Sequence, residues 1–140
     1  MLKLSESAEI LLDAARKEAA TRGQSHADDR NVVLAALDMG PDGPLAAAYG
    51  ERHFPRRLRM EMERGLPPRR KVESTQLVRV GDALEMHLAK LQRRHGHIDV
   101  HVLLEGACEN PKVRAVLDEA RFPVMDFLEQ AYDHSVPGET

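Results

Sequence analysis

The sequence predicts an all-α protein: a single domain over 1–140, made of two tandem four-helix repeats packed as a pseudo-twofold bundle of about eight helices. Three observations carry this prediction. Apolar residues recur at helical spacing along most of the chain. Aromatics make up only 4% and Trp is absent, so Leu, Val, Ala and Met must fill the core, which suits close helix–helix packing. Finally, residues 45–55 align without gaps with 113–123, pairing Ala47 with Ala115, Glu51 with Glu119, Phe54 with Phe122 and Pro55 with Pro123.

The elements follow in order. Ser5 caps a first helix whose apolar face is Ala8, Leu11, Leu12, Ala15 and Ala19. Glu6 and Glu9 lie early and Lys17 and Arg22 late, as the helix dipole favours, and Gly23 is the stop. A second helix starts near Asp28 or Asp29, runs through Val32, Val33, Leu34, Ala36 and Leu37, and ends at Gly40. A Gly-Pro-Asp-Gly-Pro turn over 40–44 leads to a short helix over 45–49. Pro55 suits the first position of a helix over 56–63, which Gly65 ends. These elements make repeat one, 4–65.

Residues 66–75, with two prolines and a charge run, read as a linker. Repeat two, 76–133, opens with a long helix whose face is Leu77, Val80, Leu84, Leu88 and Leu91, ending at Gly96. Asp99 caps the next helix, through Val102, Leu103, Leu104 and Ala107. Asn110-Pro111 opens a third, over 113–120, and Phe122-Pro123 a fourth, through Phe127, Leu128 and Ala131. The tail, 134–140, is expected to fray. No stretch alternates with period two for long enough to predict a strand. Between repeats, Val32, Val33 and Leu34 pair with Val102, Leu103 and Leu104, while Ala8, Leu11, Lys17 and Gly23 pair with Gly81, Leu84, Lys90 and Gly96.

Composition narrows the function. A net charge of -3 argues against a general polyanion binder. Cys108 is the only cysteine, so no intramolecular disulfide forms, as suits a reducing compartment; a small, semi-buried apolar role is expected for it. The N-terminus lacks an apolar signal region, and no run approaches the roughly 20 apolar residues that span a bilayer. A cytoplasmic location and no membrane contact are expected.

The repeats carry a family resemblance. Residues 5–19, Ser-Glu-Ser-Ala-Glu-Ile-Leu-Leu-Asp-Ala-Ala-Arg-Lys-Glu-Ala, closing at Gly23, resemble the opening helix of the Clp N-terminal (Clp R) domain. The helix Asn31-Val-Val-Leu-Ala-Ala-Leu37 resembles that family's His-Ile-Leu-Leu-Gly-Leu helix, as does His101-Val-Leu-Leu104, and residues 57–63 resemble the helix closing its first repeat. The resemblance spans about residues 4–133. It implies a non-catalytic protein-binding module, bacterial and chaperone-linked, that docks substrates or adaptors for a Clp-type AAA+ unfoldase or modulates it. The family's domain precedes an ATPase ring, but this chain has no phosphate-binding loop, since no Gly is followed by Lys. No nucleotide and no cofactor are therefore expected. Where some ClpC-type domains place a Glu before the motif His to hold phosphorylated arginine, this chain has Arg30 before Asn31 and Val100 before His101.

The expected contact surface lies around the starts of the two second helices, at Asp29, Arg30, Asn31, Asp99 and His101. The Arg56, Arg57 and Arg59 face is a second candidate. From Arg52 to Lys71 there are eight Arg or Lys against two Glu, so this stretch is locally +6 while the remainder carries -9. A solvated helix face and linker explains that asymmetry; an acidic protein partner, or a nucleic-acid-linked regulatory role, are the sharper readings. Scarce aromatics and the interspersed Glu61 and Glu63 disfavour nucleic acid. His95, His97 and His101 have a spacing that could hold zinc, but Gly96 and Asp99 place a helix boundary among them and no Cys lies nearby, so no metal is expected. No Ser is set beside a base as a hydrolase requires, and no enzyme activity is expected. Met60, Met62, Met86 and Met125 read either as core filling or as an adaptable peptide-binding surface.

Overall fold

The computed structural model describes residues 2–39, 54–69 and 77–119. The short helix expected over 45–49, the last helix with Met125 and Phe127, and the tail over 134–140 lie outside them. Within them the chain is mostly helical: α1 (Glu6–Thr21), α2 (Asp29–Asp38), α3 (Phe54–Glu63), α4 (Asp82–His95), α5 (Val100–Ala107) and α6 (Pro111–Glu119). Two short strands, β1 (His26–Ala27) and β2 (Arg79–Val80), join them.

Local chemistry explains the helix ends. The Ser5 hydroxyl accepts the Ala8 N–H, and Asp99 accepts that of Val102. At α2 the cap is a reciprocal box, with Asp28 accepting the Arg30 N–H at 2.9 Å while the Asn31 Oδ1 accepts the Asp28 N–H at 2.9 Å. Gly96 closes α4 at φ 79° and Gly65 follows α3 at φ 83°, a backbone region in which glycine has no Cβ penalty.

The core centres on α2, whose residues from Asn31 to Leu37 are all buried. It packs on α1, α3 and α5, while α5 also meets α4 and α1, and α3 meets α6. Leu11, Leu34, Leu37, Leu58, Met62, Leu88, Leu91 and Leu104 fill the interior. An aromatic-poor sequence reaches close packing by bringing backbones together. At Gly106 an added Cβ would sit 2.7 Å from Leu91 Cδ1, so the missing side chain is what lets α5 approach α4.

Two expectations are corrected. The long helix does not run back through Leu77 and Val80, and a small sheet exists: Arg79–Val80 is a strand, parallel to His26–Ala27, and the helix starts at Asp82. Val78 and Val80 suit extended backbone, and the Gly81 N–H donates to Ala27 O at 2.8 Å instead of entering a helical turn. A matching bridge joins Leu4 to Ile98, with the Ser5 N–H donating to Ile98 O at 2.9 Å. The segment before α1 thus pairs with the segment before α5, and the segment before α4 with the segment before α2.

The caps give the helices comparable registers. Gly81 caps α4 as Ser5 caps α1, so Ala8, Leu12 and Ala15 occupy the same turns as Leu84, Leu88 and Leu91. Likewise Asp28 and Asp99 cap α2 and α5, so Arg30 and His101 each lie two residues beyond a cap, and Asn31 and Val102 three.

Candidate functional site

The starts of α2 and α5 were the first expected surface, and their side chains divide between surface and interior. Asn31 is fully buried: its Nδ2 donates to Glu18 Oε2 at 2.5 Å and to Gln24 Oε1 at 2.9 Å. Asp99 is also buried, occupied in capping α5, with His97 Nε2 3.5 Å from its second oxygen. Neither presents its side chain to a partner. Arg30 folds back on Asp28, with Nη2 2.7 Å from Oδ2, and this hydrogen bond is the main force raising its pKa above the ordinary guanidinium value. His101 is half-buried. Asp29 accepts from Asn110 Nδ2 at 2.6 Å, tying α2 to the start of α6.

The α3 face is different. Arg56 and Arg57 are exposed, and Met60 stands 57% exposed between helical turns that carry arginines. Arg56, Arg59, Met60, Glu63 and Arg64 line a shallow groove of about 520 Å³. Arg59 is partly committed, with Nη2 2.5 Å from Asp38 Oδ1 and Nη1 3.8 Å from Glu63, and Arg64 lies 2.9 Å from Glu61. An exposed thioether in a cationic rim suits an amphipathic, acidic protein segment. Met62, two residues on, is wholly buried and fills the core, so position on the helix separates it from the exposed Met60.

A second groove, of about 510 Å³, surrounds Met86, which is 73% exposed. Asp29, Lys90, Arg93 and the close contact of His87 Nε2 with Glu109 Oε2, 2.6 Å apart, lie along it. Burial works against charge on Glu109, but the charges of His87, Lys90 and Arg94 outweigh it and hold its carboxyl below the ordinary range. Asp29 is the one expected surface residue found here. Nothing local in the sequence marks the groove except Met86 itself, because its walls come from α4 and from the turn into α6.

Sequence reasoning missed a buried polar network beneath α1. Glu18, 5% exposed, accepts from Arg22 Nε at 2.5 Å and from Asn31. Arg22, 1% exposed, donates from Nη1 to Pro67 O at 3.1 Å, while its Nη2 lies 3.2 Å from Glu63 as an ion pair without hydrogen-bond alignment. Burial opposes the Arg22 charge, yet its two carboxylates leave the pKa raised. From the chain alone, Glu18 and Arg22 look like an ordinary i,i+4 surface pair.

His95 and His97 face Glu105 and Asp99 separately, with Gly96 turning the chain between them. Among the described residues no three metal-ligating side chains converge. Cys108 is buried, and burial pushes its thiol up to about 12. Among the described residues no helix is long and apolar enough to cross a membrane. No protein-family model matches the chain, and no curated protein matches it.

Proposed function

We propose that this chain is a non-catalytic protein-binding domain of the Clp N-terminal kind, which docks a substrate or adaptor for a Clp-type unfoldase, or modulates that unfoldase, in the cytoplasm. The observation that carries the reading is Met60, exposed within a groove whose rim holds Arg56, Arg59 and Arg64. Such a groove offers dispersion contact at its centre and charge attraction at its edge, as peptide-docking surfaces do. The reciprocal pairing of Leu4 with Ile98 and of Ala27 with Val80 supports the double-repeat, pseudo-twofold arrangement behind the family resemblance. The reading as a nucleic-acid-linked regulator has less support, since Asp38, Glu61 and Glu63 already answer Arg59 and Arg64.

The test is affinity capture from the native host with the immobilised chain, in parallel with Met60→Glu and Arg56→Glu. A Clp-type ATPase, a Clp adaptor or an unfolded client should be recovered by the parent and lost from both variants. Recovery of none of these by the parent overturns the proposal. Salt-sensitive retention on DNA that Arg56→Ala, Arg57→Ala and Arg59→Ala together abolish would favour the regulator.

A further inference from the structure

A cleft runs between α1 and α2, and an arginine from elsewhere in the chain reaches into it. Ala14, Lys17, Glu18 and Thr21 of α1 form one wall, one helical face in sequence spacing. Ala35 and Asp38 of α2, with Met39, form the other. The cleft measures about 320 Å³ and its surface is mostly apolar. Two carboxylates stand at one end. Glu18 is buried, its side chain 4% exposed, and Asp38 is at the rim with 35%.

The group between them is Arg69. Its Nη2 donates to Asp38 Oδ2, and its Nε lies 3.6 Å from Glu18 Oε1. Arg69 arrives on a short strap. Gly65 turns the chain at φ 83°, Leu66 tucks against the core, and Pro67 anchors the strap by accepting from Arg22. The prolines at 67 and 68 hold the backbone extended, so Arg69 is presented much as an arginine on an unstructured peptide would be.

The parts of this contact differ in permanence. Leu66 and Pro67 are fastened to the interior, but the Arg69 side chain is 46% exposed, and exposed ion pairs are weakly held. Asp38 keeps Arg59 on its other oxygen, and Glu18 keeps Arg22 and Asn31, so the acidic end persists when Arg69 swings out. We infer that the α1–α2 cleft is a receptor for a single arginine on an extended peptide segment, and that Arg69 occupies it in cis as an internal competitor. A guanidinium can span the two carboxylates as a fork, whereas an ammonium serves them only as a point charge. This inference does not rest on the Met60 groove of α3, although Arg59 of that groove also holds Asp38.

The test uses the full chain and a labelled peptide of the strap's own sequence, Gly-Leu-Pro-Pro-Arg-Arg-Lys, read by fluorescence anisotropy. If Arg69 fills the cleft about nine-tenths of the time, Arg69→Ala should bind the peptide about tenfold more tightly than the parent. Adding Asp38→Asn should remove the gain, and a peptide with Lys in place of both Arg should bind the Arg69→Ala chain at least several-fold more weakly. Arg69→Gln, which keeps part of the stem, should behave as Arg69→Ala does. Equal affinity of parent and Arg69→Ala overturns the inference, as does equal binding of the Arg and Lys peptides. Loss of the helical circular dichroism in both Arg69 variants also overturns it, because the contact would then be a structural tie.

Discussion

Replacing Glu18 by Gln tests whether the network beneath α1 is an interior ion cluster or an incidental surface pair. Gln keeps the size and can still accept one hydrogen bond, but it removes the charge. Arg22 is left 1% exposed with the half-exposed Glu63 as its one remaining carboxylate, beside the neutral acceptor Pro67 O. Breaking a buried pair from one side costs about 3–5 kcal/mol, and the surviving Glu63 contact places the loss near the lower end, about 3 kcal/mol. Against a domain stability of about 5–15 kcal/mol, this is a large fraction. It corresponds to a fall in Tm of roughly 6–12 °C for a chain of this size. Urea unfolding followed by far-ultraviolet circular dichroism reads it directly. Glu18→Leu combined with Arg22→Met should recover most of the loss, because no charge is then stranded. A cost for Glu18→Gln below about 1 kcal/mol would refute the reasoning, since exposed pairs contribute about that or less.

Four further outcomes follow from particular residues. Asp99→Ala removes the acceptor of the Val102 N–H and should cost about 1 kcal/mol in urea unfolding. Gly106→Ala gains helix propensity but drives a methyl against the buried Leu91; overpacking should win, with a net loss of about 1 kcal/mol and unchanged helix content. Cys108, buried with its thiol pushed up to about 12, should resist iodoacetamide at pH 8 in the native chain and react as a free thiol does in 8 M urea. Glu109 sits below its ordinary value of 4.5, so its stabilising contribution is fully present above that pH and is lost as pH falls through the lower folded value. The stability difference between the parent and Glu109→Gln should therefore shrink as pH falls below about 4.5.

The helices at 6–21, 29–38, 100–107 and 111–119 were legible in the chain because apolar spacing, capping side chains and stop glycines act within a few residues of one another. Met60 and Met86 were legible as residues with two readings, and which of the methionines face solvent depends on helices packing on one side only. Asn31 and Asp99 were placed correctly at helix starts, but as caps and network members their side chains turn inward, which no local pattern reports.

What the sequence determined by itself was the helical class and the position of most helix ends, because these are set by neighbours along the chain. Tertiary structure decided the rest. Arg79–Val80 became a strand only because His26–Ala27 lies alongside it, and an extended pair needs a partner far away in sequence. Glu18 and Arg22 became interior groups only because Glu63 and Pro67 close over them, and Arg69 met Glu18 and Asp38 only because Gly65 turned the strap back. Burial and pairing depend on where distant segments arrive, and that is a property of the packed chain as a whole.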